Sequence, residues 1–173
     1  MHIDVPNDLL LEKEGQICCI RGIKKLPKND TVVYHVEKEL SSLITDAINN
    51  HCKHFILMLD GEASLFYGEH IIKEISDDAF LTVALPYYDF SNEIMYFEQS
   101  KKYHSLIDKC NSIVCWQKQS LSISKEGSKD FHTDCLVKYG DWQILIHDQN
   151  DISINRHIAL AKEKKKIIKE INI

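Results

Sequence analysis

An α/β fold, a three-layer sandwich built around a mostly parallel sheet of five to six strands with helices on both faces, is predicted by three observations. Short apolar runs alternate with longer stretches whose apolar residues recur every three or four positions. The runs are nearly continuous in apolar residues, as strands covered on both faces are. A helix-length segment separates each run from the next, and a crossover of that kind returns the chain to the same edge, so neighbouring strands run parallel.

The first run is Gln16–Ile20. It enters a basic loop, Arg21-Gly22-Ile23-Lys24-Lys25-Leu26-Pro27-Lys28-Asn29-Asp30. Asp30 or Thr31 is placed to cap the following helix. There Val33, Val36, Leu40, Leu43, Ile44, Ala47 and Ile48 mark one buried face, and Asn49-Asn50 signal the end. His54–Leu59 is the second strand. Residues 63–76 suit a helix through Leu65, Phe66, Ile71, Ile72 and Ile75. Phe80–Leu85, ended by Pro86, is the third strand, and a helix over 92–109 follows. Ser112–Trp116 is the fourth strand. The polar stretch 117–129 reads as an exposed loop and Phe131–Tyr139 as a short helix. Trp142–His147 is the fifth strand, Ile154–Lys164 a helix, and Lys166–Ile171 a closing strand. Residues 1–15, polar and carrying Pro6 and Gly15, read as an N-terminal leader to a single domain over 16–173.

A chain of 173 residues suits one domain with its own core. Hydrophobic content of 44% and charged content of 27% place it among soluble globular proteins. The net charge of -5 argues against sequence-independent nucleic-acid binding, which relies on clustered positive charge. Lys162, Lys164, Lys165, Lys166 and Lys169 form the one dense basic stretch, and they read as a solvated helix end running into a strand. There is no apolar stretch of membrane-spanning length and no basic-then-apolar start, so a cytoplasmic protein without membrane contact is expected. Cys18, Cys19 and Cys115 fall in predicted strands and read as small apolar residues, with no disulfides expected. His51-Cys52-Lys53-His54 groups metal-ligating residue types, but no second cluster completes them; they read as structural and no metal is expected.

In open parallel sheets the ligand crevice lies beyond the carboxyl ends of the strands, at a topological switch. The residues after each predicted strand therefore form the candidate rim. Arg21, Gly22 and Lys24 follow the first, with the basic pair suited to an anion. Asp60, Gly61 and Glu62 follow the second. Pro86, Tyr87, Tyr88 and Asp89 follow the third, with the tyrosines suited to stacking a base. Asp148 follows the fifth, and a carboxylate there suits a ribose hydroxyl. Each also has a structural reading: loop charge, packing between strand and helix, turn former or helix cap.

Cys18-Cys19-Ile20-Arg21-Gly22-Ile23-Lys24-Lys25-Leu26-Pro27 resembles the opening strand and loop of the YpsA-like branch of the SLOG superfamily, whose start is of the C-C-F-T-G-H-R-P type. Phe55 to Glu69 aligns without gaps on that branch's F-I-S-G-M-A-L-G-V-D-L-W-A-A-E. Leu81–Tyr87 resembles its strand and Pro-Phe element, and His132–Asp148 its helix, S-D turn, strand and aspartate. The resemblance spans about residues 16–171 and is carried by order and spacing more than by identity. It implies a Rossmann-like domain related to DNA-processing protein A and to LOG phosphoribohydrolases, with a nucleotide-derived ligand. Gly22, Glu69, Pro86, Asp141 and Asp148 match the family pattern. The family's Ser-Gly pair falls on Leu57 and Met58, its next glycine on Glu62, its aspartate on Ser64, and its late G-G-T loop has no counterpart. Glycines at those points let a phosphate reach backbone amides, whereas Met58 and Glu62 bring bulk and negative charge.

The leading expectation is a non-catalytic domain that binds or senses a nucleotide-derived ligand through Arg21, Gly22, Lys24, Gly61, Pro86, Tyr87, Asp89 and Asp148, with no cofactor. A protein-interaction scaffold, pairing as a homo-oligomer, is the alternative. A nucleotide N-glycosidic hydrolase or transferase using Glu62 or Glu69 is the third reading.

Overall fold

The structure is a computed structural model that describes residues 15–86, 99–115 and 125–173, the side chains of 125–131 excepted. The leader up to residue 14, Tyr87, Tyr88, Asp89, the start of the 92–109 helix and residues 116–124 lie outside the described residues. The elements are β1 (Gln16–Gly22), α1 (Asp30–Asn49), β2 (Cys52–Met58), α2 (Glu62–Glu74), β3 (Phe80–Ala84), α3 (Ser100–Lys109), β4 (Ser112–Val114), α4 (Lys125–Tyr139), β5 (Trp142–His147), α5 (Ile152–Glu163) and β6 (Ile167–Asn172).

The strands form one six-stranded sheet in the order β4-β3-β2-β1-β5-β6, and every neighbouring pair is parallel. The chain steps outward from β1 to β4, then returns to lay β5 on the other side of β1. The topological switch therefore falls between β1 and β5. Right-handed crossovers then place α1, α2 and α3 on one face and α4 and α5 on the other. α1 packs on α2, α2 on α3, and α4 on α5.

Strand alternation builds two core layers. Cys18, Ile20, Phe55, Leu57, Val83, Ile144 and Ile146 meet Val36, Leu40, Ile44, Leu65, Ile71 and Leu106 of the first helical layer. Ile17, Cys19, Ile56 and Met58 meet Cys135, Leu136 and Tyr139 of α4, while Leu145 meets Ile154 and Ile158 of α5. Burial pushes the Cys19 and Cys18 thiols up, so both stay protonated within these layers.

Several boundaries differ from the sequence expectation, each for a physical reason. β1 runs on through Arg21 and Gly22, because they pair with Leu145 and Ile146 of β5. α1 is capped by Asn29, whose side chain accepts from the Thr31 and Val32 amides, rather than by Asp30 or Thr31. α4 starts at Lys125, so the last residues of the expected 117–129 loop are helical; their polar sequence shows no apolar period. α5 starts at Ile152 because the Asp151 side chain caps the Ile154 amide. Cys115 follows β4 and is half-buried. Among the described residues no helix is long and apolar enough to cross a membrane.

Asp141 fastens the amino edge. Its Oδ2 accepts from the Ile17 amide at 2.9 Å, its own amide donates to the Ile17 carbonyl, and its carbonyl accepts from Ile167. One residue thus aligns the starts of β1, β5 and β6. Asp141→Ala is expected to cost about 1–3 kcal/mol, the penalty for stranding a bonded amide. Asp141→Asn keeps an acceptor and is expected to retain most of that stability. Urea unfolding of the two variants checks both.

Candidate functional site

At the switch point the most conspicuous side chain is Arg21. It is only 1% exposed although it sits at the carboxyl end of β1. Strand alternation turns it to the same face as Ile17 and Cys19, towards α4 and α5. Its Nη1 donates to Thr133 Oγ1 of α4 at 2.7 Å, and its Nη2 donates to Ser153 Oγ of α5 at 2.8 Å. Its Nε faces Asp60 Oδ2, just beyond β2, at 3.4 Å, an ion pair without hydrogen-bond alignment. The guanidinium therefore joins β1, the end of β2, α4 and α5.

The same Nη1 lies 3.4 Å from Nδ1 of His157. A guanidinium only donates, so Nδ1 is the acceptor and the ring proton sits on Nε2. His157 Nε2 then donates to Gln143 Oε1 at 2.8 Å. Gln143 Nε2 in turn donates to the carbonyls of Leu136 and Gly140, each at 3.0 Å. Donors and acceptors match at every step. Burial lowers the His157 pKa to about 3, with the Arg21 charge adding to the shift, so the ring stays neutral.

Gly22, Lys24 and Gly61 do come together, but they pack on protein. A Cβ on Gly22 would stand 2.5 Å from the Tyr67 ring, and the Tyr67 hydroxyl donates to the Ile23 carbonyl at 3.1 Å. Burial pushes the Tyr67 phenol up, and the Asp60 and Asp151 carboxylates add to it. A Cβ on Gly61 would stand 2.6 Å from Lys24 Cα. The Ala63 amide, in the first turn of α2, donates to the Lys24 carbonyl at 2.9 Å. An amide positioned to cradle an anion is thus engaged by the chain's own loop. The starts of α1 and α5, which follow the two strands at the switch point, are also capped internally, α1 by Asn29 and α5 by Asp151. Each start carries a carboxylate as well: Asp30, Glu62 and Asp151.

The remaining candidates are dispersed. Asp148 accepts from the Asn150 amide at 2.8 Å, an Asx turn. Pro86 is buried just past β3. Glu62 and Glu69 sit seven residues apart on α2 and both turn towards α3: Glu62 accepts from Gln99 at 3.2 Å, and Glu69 lies 3.9 Å from Lys102. Among the described residues, no group of three His, Cys, Asp or Glu is arranged to hold a metal. Lys24, Lys25 and Lys28 are exposed on the rim, and no carboxylate of the described residues lies within 4.0 Å of them.

In comparison with known proteins, no family model matches the chain and no curated protein is significantly similar to it.

The sequence marks Arg21 as a candidate anion ligand in a loop, whereas it is a buried strand residue, and it gives no role to Thr133, Gln143, Ser153 and His157 of the same network. One signal was present. Ile154, His157, Ile158 and Ala161 share the buried face of α5 at helical spacing, so a histidine stands where an apolar residue would ordinarily pack.

Removing the guanidinium breaks a buried ion pair. Arg21→Met is expected to cost about 3–5 kcal/mol in urea unfolding. Adding Asp60→Asn is expected to return part of that loss. The His157 shift gives a pH dependence of definite sign. Its folded pKa lies below its ordinary 6.5, so its contribution is complete above pH 6.5 and declines as pH falls towards 3. Between about pH 7 and pH 5 it removes about 2 kcal/mol. In His157→Gln that part of the acid sensitivity is expected to vanish, whatever the variant's stability at neutral pH; chemical denaturation at the two pH values measures the difference.

Proposed function

We propose that this protein is a non-catalytic Rossmann-like module that works through protein contacts and grips no nucleotide phosphate at its switch point. The observation that carries this reading is the engagement of the α2 start: the Ala63 amide is bonded to the Lys24 carbonyl, and Gly61 lies against the Lys24 backbone. A phosphate there would have to displace a backbone hydrogen bond and a close-packed loop. It would also approach Glu62 at the first position of α2. Arg21, the strongest anion ligand on the edge by residue type, is buried against Asp60, Thr133, Ser153 and His157. The two carboxylates considered for glycosidic chemistry face α3.

A second reading is favoured by one observation. Lys24, Lys25 and Lys28 are exposed beside the switch point without acidic partners among the described residues. With the SLOG resemblance, they support a nucleotide-derived ligand held at the rim by charge, as a sensor and not as an enzyme.

A panel of nucleotides and ADP-ribose-like compounds separates the readings. No melting shift and no free-base release are expected with any of them. A melting shift lost in the Lys24→Ala, Lys25→Ala double variant would overturn the proposal in favour of the sensor. Base release lost in Glu69→Gln or Glu62→Gln would overturn it in favour of a hydrolase.

A further inference from the structure

We propose that the open groove between the C-terminal halves of α4 and α5 binds a small organic anion with a compact apolar body. The groove has a volume of about 410 Å³ and is lined by Asp134, Val137, Lys138, Leu160, Lys164 and Lys166. That volume falls within the range of small-molecule sites. It opens at the amino edge of the sheet, where α4 ends at Tyr139 and β6 begins at Ile167, and is thus a site apart from the switch point.

Its walls carry two chemistries. Val137, which is buried, and Leu160, which is half-buried, supply an apolar floor between the helices. Lys138, Lys164 and Lys166 bring three ammonium groups against the single carboxylate of Asp134, which lies within salt-bridge distance of none of them. Among the described residues Lys164 pairs with its exposed sequence neighbour Glu163, at 3.4 Å. Lysines at helix ends ordinarily serve the unsatisfied carbonyls of the last turn. Here other donors already do that. Leu136 and Gly140 are served by Gln143, Leu160 by the Lys164 amide, Ala161 by the Lys166 amide and Lys162 by the Lys165 amide. Of the three groove lysines, Lys166 is so engaged, reaching the Lys138 carbonyl at a long 3.5 Å from just before β6. Lys138 lies over the Tyr139 ring at 5.2 Å, which does not neutralise it, so with Asp134 and Glu163 set against three lysines a net positive charge is left over beside an apolar surface. That suits an anion carrying a ring or short chain and suits neither a bare ion nor a cation.

The test is a methyl-resolved NMR titration of the full chain with benzoate and with phenyl phosphate, against acetate, inorganic phosphate and benzylamine. Saturable shifts of the Val137 and Leu160 methyls are expected with benzoate or phenyl phosphate, and whichever binds more tightly identifies a carboxylate or a phosphate ester as the anionic head. Lys138→Met and Lys166→Met are each expected to weaken that binding about three- to fivefold, the range for one exposed ion pair. The same spectra report whether each variant is folded. No saturable shift with either compound, equal affinity in both variants, saturation by benzylamine, or equal saturation by inorganic phosphate alone would overturn the proposal.

Discussion

A guanidinium buried inside the sheet's carboxyl edge governs the rest of this structure. Arg21 cannot lose its charge, and removing it from water is costly unless its donors are met. The chain meets its Nη donors from α4 and α5 with Thr133, Ser153 and His157, and sets the Asp60 carboxylate, just beyond β2, against its charge. Those elements are far apart in sequence, so the arginine fixes how the second helical layer sits on the sheet. The need passes outward in turn. His157 accepts from Arg21 and must then donate, Gln143 receives that proton, and the amide of Gln143 closes the chain on the last carbonyls of α4. A line of directed bonds thus runs from the switch point through the second core layer.

This constraint bears directly on function. In a sheet of this topology the crevice between β1 and β5 is where a ligand's phosphate would be expected. Here the atoms suited to that task bond to one another. The Lys24 carbonyl stands at the Ala63 amide, the Tyr67 ring lies over Gly22, and Asp151 closes the start of α5. The glycines that sequence analysis offered as points of phosphate approach permit close packing of loop on helix instead. Gly61 needs no left-handed backbone, since its φ of -174° is extended; it needs room for Lys24.

Fold and site were unequally legible in the sequence. The strands were readable because a sheet covered on both faces demands unbroken apolar runs, and Trp142–His147 matches its expected bounds. A charged residue ordinarily ends such a run, which is why the sequence stops β1 at Ile20; nothing local announces that Arg21 has four partners more than 30 residues away, three of them buried. The sequence leaves the cap of α1 open to one or two residues because Asn29, Asp30 and Thr31 are all competent caps by type; the extended backbone and the bonds to the Thr31 and Val32 amides fall at Asn29. The start of α4 was invisible because its residues are polar all round. Met58, read from the sequence as bulk at a phosphate position, packs in the second core layer with Cys135, Leu136 and Tyr139, while Glu62 opens α2. The bond from the Ala63 amide to the Lys24 carbonyl at the start of α2 is made by backbone atoms and has no sequence signature at all.

The most direct measurement is nitrogen-resolved NMR of the His157 imidazole and the Arg21 guanidinium at about pH 5. The buried network requires a neutral ring protonated on Nε2, an unprotonated Nδ1, and guanidinium protons that exchange slowly with water. An imidazolium at His157, or Arg21 protons exchanging as fast as those of an exposed arginine, would show that the switch point is open and the central claim wrong.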